Sequence, residues 1–190
     1  EEQSIRILNC GKNHGLIPRL HADEFENSNG AKVAYETDAI SADHLMAVSD
    51  EGLNFLKKSN TIATLLPGTT FFLGKNTYAP YDKIRQMGIE VALATDFNPG
   101  TCTIRSLSNI MFLAVQNCGI TIEEAFLGVT YNAAKSLNKE SEIGLIEENY
   151  KADMIFWNIN SINEIPYWFD SSNTKINKVI KNGKVVRKSN

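Results

Sequence analysis

Short apolar runs alternate with helix-forming segments over the first hundred residues of the chain. Four runs are rich in β-branched or aliphatic residues and end at a polar or turn residue, which predicts strands at 16–20, 39–44, 61–66 and 89–94. Segments of helical composition precede or separate them at 1–10, 31–37, 49–58 and 80–88. Strands that are apolar on both faces and alternate with helices predict a parallel sheet covered by helices, and hence an α/β fold.

Local signals mark where several helices begin. Ser49 is followed by two acidic residues, which favours a helix start, and Thr121 with Glu124 three residues later forms a predicted capping box. Two long helices are therefore predicted at about 104–117 and 122–137.

After residue 138 the pattern changes to short strands. They are predicted at 143–146, 152–157 and 178–186, and the last contains Asn182-Gly183, a strong hairpin signal. The sequence therefore predicts two units, an α/β unit at 1–138 and part of a small β domain at 139–190.

The residues at the strand ends favour one arrangement of the sheet. Three strands end at His21, His44 and Asp96, the remaining one ends at Pro67, and successive ends lie 23 to 29 residues apart. This spacing suits the βα units of a (β/α)8 barrel, which builds its active site at the C-terminal ends of its strands. A doubly wound open sheet also fits the periodicity, but the polar strand ends favour the barrel.

Composition and charge exclude several classes of function. The net charge of −3 and the pI near 5.7 leave no basic surface, so we expect no nucleic-acid partner. No apolar run approaches the ~18 residues of a membrane span and no signal peptide is evident, so we expect no membrane partner and a cytoplasmic location. Cys10, Cys102 and Cys118 are widely spaced and odd in number, which predicts packing residues rather than disulfides.

Candidate metal ligands stand where two of the strands end. His21 is followed three residues later by Glu24, and Asp96 comes directly after the last strand. Imidazole nitrogen and carboxylate oxygen together suit Zn²⁺ or Fe²⁺ and argue against a pure Ca²⁺ or Mg²⁺ site. His44 could act near a bound water as an acid, a base or an electrostatic stabiliser. The alternative is that each is a hydrogen-bonded polar residue with a structural role.

Four strings at these strand ends resemble a known family. They are HADEF at 21–25, SADH at 41–44, LLPGTTFF at 65–72 and ATDFNPG at 94–100. Together they closely resemble imidazolonepropionase, a metal-dependent amidohydrolase of histidine breakdown, and the resemblance extends over the chain from about residue 16. It implies the C-terminal half of a (β/α)8 TIM-type barrel, followed by part of a small β-sandwich domain.

The resemblance also implies an activity and its residues. The family uses metal-activated water to hydrolyse the cyclic amide of 4-imidazolone-5-propanoate, a small-molecule substrate, to N-formimidoyl-L-glutamate. By resemblance, His21 and Asp96 would bind one divalent Zn or Fe ion. Catalysis would involve Asp96 together with His44 and Glu24. The residues expected to contact the substrate are Glu24, Asn98, Gly100 and Thr101.

This sequence departs from the family pattern in one respect. The family has a His-x-His pair of metal ligands on the first barrel strand, whereas this chain has three histidines and no such pair. Its first residues also have helical composition without a starting methionine. We therefore expect that the first barrel strands precede this chain and that the fragment alone is inactive.

Two other functions stay open at this point. The chain could belong to a different amidohydrolase, such as a deaminase or another cyclic amidase. It could also be a catalytically inactive barrel fragment that acts as an assembly module. The sequence leaves open the choice between zinc and iron and the oligomeric state, for which a homodimer is one candidate.

Overall fold

A parallel sheet of four strands lies in the first half of the computed structural model, which describes residues 1–169 and 171–188. The strands are β1 (Arg19–Ala22), β2 (Ser41–His44), β3 (Ile62–Leu65) and β4 (Val91–Leu93). They follow one another in the order β1-β2-β3-β4, and every neighbouring pair is parallel. All four predicted strands are thus found, and the α/β fold is confirmed. Three have shorter bounds than predicted, whereas β1 begins and ends later than the predicted 16–20.

Eight helices are found before residue 140 in this described part of the chain. They are α1 (Glu2–Asn13), α2 (Gly30–Glu36), α3 (Asp50–Lys57), α4 (Pro67–Phe72), α5 (Tyr81–Gln86), α6 (Leu107–Cys118), α7 (Ile122–Gly128) and α8 (Tyr131–Lys135). Helix α2 packs against β1 and β2, whereas α7 and α8 pack against β4. No helix among the described residues has both the length and the apolarity needed to cross a membrane.

The two faces of the parallel sheet differ in chemistry. Ala42 and Leu93 lie in the hydrophobic core and are at most 2% exposed. The adjacent positions in the strands carry polar side chains: Ser41 hydrogen-bonds to both Asp43 and Thr64. The prediction of strands that are apolar on both faces is therefore wrong for β2 and β3. Mutual hydrogen bonding satisfies these buried polar groups.

Capping predictions are confirmed, but one predicted helix is divided. Ser49 accepts a hydrogen bond from the amide three residues later, and the capping box at the start of α7 is complete. The predicted helix 122–137 breaks between Gly128 and Tyr131. Near the break, the Thr130 hydroxyl donates to the carbonyl of Phe126 at 2.7 Å, a local bond that competes with continued helix.

Two further helix predictions need correction. Helix α4 was missed because Pro67-Gly68 resembles a stop signal, although proline also suits the first turn of a helix. The helix predicted from residue 104 begins instead at Leu107.

The C-terminal part contains a separate antiparallel sheet. Its strands β5 (Met154–Trp157), β6 (Ile176–Lys181) and β7 (Lys184–Lys188) lie in the order β5-β6-β7. Helix α9 (Glu164–Tyr167) and a 3₁₀ helix (Ser172–Lys175) connect the first two strands. The predicted hairpin is confirmed, since Asn182 and Gly183 join β6 to β7 with φ values of 49° and 74°.

The strand predicted at 143–146 is wrong, because this segment forms bends and irregular chain. Gly144 has a φ of 97°, which is incompatible with an extended strand, and it lies against the backbone of Tyr131. Close packing against α8 therefore bends the chain where the apolar residues favoured a strand.

Candidate metal and catalytic site

Three side chains converge at the C-terminal ends of β1 and β2. His21 comes from β1, Glu24 from the loop after it, and His44 from the end of β2. Nδ1 of His21 lies 2.7 Å from Nε2 of His44, and Oε2 of Glu24 lies 3.6 Å from the same Nε2. One donor atom from each residue falls within 4.8 Å of the others, a spacing that allows them to share a metal ion.

Asp23 shapes the loop that carries Glu24. Its buried carboxylate accepts hydrogen bonds from the amides of Ser28, Gly30 and Ala31 at 2.9, 2.9 and 3.0 Å. These bonds fold the loop back onto the start of α2, whose N-cap residue provides no side-chain cap. Asp23 therefore has a structural role in this loop.

Backbone strain marks the end of β2. His44 and Leu45 have φ values of 81° and 61°, a conformation that non-glycine residues seldom adopt. The Leu45 amide donates to the carbonyl of Ala22 at 3.0 Å, and the Leu45 side chain is fully buried. Packing and hydrogen bonding therefore hold the turn that directs His44 towards His21.

Burial makes His44 a neutral imidazole. The side chain is 2% exposed, and this burial, together with the neighbouring His21, lowers the pKa of His44 to about 4. Its Nδ1 is buried and has no hydrogen-bond partner among the described residues. At neutral pH this ring can therefore donate or accept a hydrogen bond without carrying charge.

Burial shifts the pKa of Glu24 upward, whereas it shifts that of His44 downward. It raises the pKa of the carboxyl group, His21 opposes the shift, and the charge of Asp96 adds to it. A raised pKa makes this carboxyl group easier to protonate, which suits a group that takes up and gives back protons.

Asp96 follows β4 and lies near the three-residue cluster without belonging to it. Its charge adds to the raised pKa of Glu24 and partly opposes the lowering of the His44 pKa. Asp96 therefore lies at the same end of the sheet as these two residues. Its Oδ2 accepts a hydrogen bond of 2.6 Å from the Thr69 hydroxyl on α4. Sequence reasoning missed Thr69, since nothing in the Pro-Gly-Thr-Thr string indicates a partner 27 residues away.

The turn after Asp96 is held together by Asn98. The Asn98 Oδ1 accepts from the amides of Gly100 and Thr101 at 2.8 and 2.7 Å, and its Nδ2 donates to the carbonyl of Asp96 at 2.7 Å. These amides already have an acceptor in this conformation. The role of Asn98, Gly100 and Thr101 in lining a substrate pocket therefore stays a prediction.

The donor set has the chemistry of a zinc or iron site. Two imidazoles and nearby carboxylates are ligands that both metals accept. Nitrogens that bind one tetrahedral metal at about 2.0–2.1 Å lie roughly 3.3 Å apart, somewhat farther than His21 and His44 are here. The residues fit a metal site after a small movement of the two rings. Both the expected ligand His21 and His44 would then be within reach of the metal ion.

Comparison with known proteins assigns the chain to a family. Residues 14–186 match the sequence profile of the amidohydrolase family. The chain belongs to the amidohydrolase family. The match covers both the parallel sheet and most of the antiparallel one, so the amidohydrolase assignment applies to nearly the whole chain.

Individual relatives of this amidohydrolase chain are longer than it is. It is 48% identical to the imidazolonepropionase of Kosmotoga olearia over 97% of the chain and 45% of that protein. It is 44% identical to the imidazolonepropionase of Geobacillus sp. (strain WCH70) over 99% of the chain and 44% of that protein. The chain therefore spans less than half the length of these relatives.

A solved structure supports the amidohydrolase fold. A variant of the atrazine chlorohydrolase from Arthrobacter aurescens TC1, complexed with zinc and atraton, superposes with a TM-score of 0.79. The match has 14% sequence identity and covers 98% of this chain and 47% of that structure. At this level of identity, the likeness concerns the fold alone.

Proposed function

We propose that this chain is part of an imidazolonepropionase, which hydrolyses the ring amide of 4-imidazolone-5-propanoate to N-formimidoyl-L-glutamate in histidine degradation. The near-half identity to the Kosmotoga olearia imidazolonepropionase, extending along almost the entire chain, carries this proposal. The pairing of a neutral His44 with Glu24 beside His21 supports a hydrolytic site. The enzyme would act in the cytoplasm on this small-molecule substrate.

The chain supplies part of a larger catalytic domain under this proposal. Residues 1–138 form the C-terminal half of a (β/α)8 barrel, and 139–190 form part of a small β domain. The sequential order of parallel strands and the separate antiparallel sheet support this division. The relatives' greater length supports a further segment that provides the remaining strands and the His-x-His ligands.

His21 and Asp96 would hold one divalent zinc or iron ion. His44 lies close enough to His21 to influence the position of this ion. Such an ion lowers the pKa of a bound water to about 7, so that hydroxide becomes available at neutral pH. The donor types of His21 and Asp96 support this assignment.

The chain's own residues would move the protons. Asp96 accepts a proton from the attacking water, whose oxygen bonds to the ring carbonyl carbon. Neutral His44 donates a hydrogen bond to the carbonyl oxygen as negative charge develops on it. The carbon–nitrogen bond then breaks, and Glu24 or Asp96 gives a proton to the departing ring nitrogen.

The test uses the product of the complete reading frame that encodes these residues, purified with zinc or iron. We expect turnover of 4-imidazolone-5-propanoate, followed by its ultraviolet absorbance, and a large loss of turnover in Asp96→Ala. His44→Ala is expected to lose turnover and keep its metal. Asp38→Ala, which removes an exposed aspartate outside the site, is the control.

Two results would contradict the proposal. Normal turnover and metal content in Asp96→Ala would remove Asp96 from the site. Turnover of a purine or triazine substrate, with none of the imidazolone, would assign the chain to another amidohydrolase.

A further inference from the structure

Thr69 is a fully buried residue whose hydroxyl reaches the candidate site. It lies in α4, directly after β3, and its Oγ1 donates to Oδ2 of Asp96 at 2.6 Å. Its amide donates to the carbonyl of Leu66 at 3.1 Å, and its carbonyl accepts from Leu73 at 3.0 Å. With its backbone groups engaged locally, the hydroxyl is the group through which Thr69 acts on another element.

Tight packing holds the hydroxyl of Thr69 in place. A Cβ added at the preceding residue, Gly68, would lie 2.7 Å from Cδ1 of Ile110 and 3.0 Å from Sγ of Cys102. Helix α4 therefore packs closely against α6 and the loop before it, and a larger residue at Gly68 would require Ile110 or Cys102 to shift. The donor therefore sits on a rigid support.

The carboxylate of Asp96 is held by fewer contacts than the hydroxyl of Thr69. Asp96 is only partly buried and stands in a loop with a φ of 50°. Among the described residues, its Oδ1 accepts no hydrogen bond, so the bond from Thr69 to Oδ2 sets the rotation of the carboxylate. Fixing one oxygen also fixes the direction in which the other oxygen points.

We propose that Thr69 is a positioning residue that orients the Asp96 carboxylate for metal binding and for accepting the proton of the attacking water. This inference rests on the proposed function of Asp96. A hydroxyl that bonds to a metal-binding carboxylate restricts the rotation of the ligand and so lowers the cost of binding. Without this bond, the Asp96 carboxylate would be free to rotate about its side-chain bonds.

The experiment compares Thr69→Val, which removes the hydroxyl at nearly constant volume, with Thr69→Ser, which keeps it. Thr70→Val is the matched control, because Thr70 is the next residue, is equally buried, and bonds to Met46 instead of the site. All variants are made in the product of the complete reading frame. Zinc affinity is measured by competition with a chelator, and kcat and KM are measured separately.

We expect Thr69→Val to bind zinc 10- to 100-fold more weakly, the range typical for loss of a group that orients a ligand. At saturating metal, kcat should fall by about tenfold or more while KM stays within twofold. Thr69→Ser should restore both quantities to within about threefold, and Thr70→Val should leave both near the wild-type values.

Three outcomes would overturn the inference. One is wild-type zinc affinity in Thr69→Val, and another is equal losses in Thr69→Val and Thr69→Ser, which would indicate volume rather than the hydroxyl. The third is an equal loss in Thr70→Val, which would indicate general destabilisation. If the wild type does not hydrolyse the imidazolone, the proposed function fails, while the zinc affinities still decide the role of Thr69.

Discussion

Removal of the Asp23 carboxylate should strongly destabilise the loop between β1 and α2, because this one side chain accepts hydrogen bonds from two buried amides. Asp23→Ala leaves the amides of Gly30 and Ala31 buried without an acceptor. The third donor, the amide of Ser28, lies in an exposed residue and can bond to water.

The magnitude follows from these two bonds. A hydrogen bond to a charged group contributes about 1.5–3 kcal/mol, so two give roughly 3–6 kcal/mol. Alanine at the Asp23 φ of 50° adds about 1 kcal/mol of backbone strain. We expect Asp23→Ala to lower the free energy of unfolding by about 4–7 kcal/mol, and Asp23→Asn, which keeps one acceptor oxygen, by about 1–2 kcal/mol.

Asp38 provides a matched control for this prediction. It has nearly the same backbone conformation, with a φ of 49°, but its side chain is 85% exposed and pairs with Lys12 on the surface. Asp38→Ala should therefore cost about 1–2 kcal/mol, from backbone strain and a surface ion pair.

Urea unfolding followed by circular dichroism measures the free energies of all three variants. Hydrogen exchange at the Gly30 and Ala31 amides gives a local readout, and protection there should fall by about 1000-fold in Asp23→Ala, since each 1.4 kcal/mol corresponds to about tenfold. Equal destabilisation in Asp23→Ala and Asp38→Ala, with unchanged protection of these amides, would refute the reasoning.

Three further predictions concern other parts of the chain. Gly30→Ala should destabilise by about 3 kcal/mol in urea unfolding, because its Cβ would lie 2.6 Å from a backbone carbon of β1. By contrast, Gly11→Ala should cost nothing, since its Cβ would make only ordinary contacts of 3.7 and 3.8 Å with Leu16. Ser49→Ala should cost about 1 kcal/mol through loss of the α3 cap, and an unchanged midpoint would contradict this. Iodoacetamide at pH 8 should modify exposed Cys10 at least tenfold faster than Cys118, since burial raises the pKa of Cys118 to about 12; equal rates in mass spectrometry would be the contrary result.

Part of the candidate site could be predicted from the sequence. His21 and Asp96 follow runs rich in apolar residues, and His44 ends a short strand of mixed polarity. The C-terminal ends of neighbouring parallel strands lie at one edge of a sheet. What could not be predicted is which atoms meet there. The contact of His44 with both His21 and Glu24 depends on the positive φ at His44, and no residue pattern indicates that conformation at a histidine.

The sequence by itself determined the local elements of this protein. The capping box at Thr121 and the hairpin at Asn182-Gly183 involve neighbouring residues, so their chemistry is visible in a few letters. The same holds for the strand positions, which follow from short apolar runs bounded by polar or turn residues.

Only the tertiary structure decided the loss of the strand around Gly144 and the bond between Thr69 and Asp96. In both cases the deciding partner lies elsewhere in the chain: Gly144 bends where it meets α8, and Thr69 bonds to a residue 27 positions away. Contacts between distant segments arise from packing, and they leave no periodicity along the chain that could predict them.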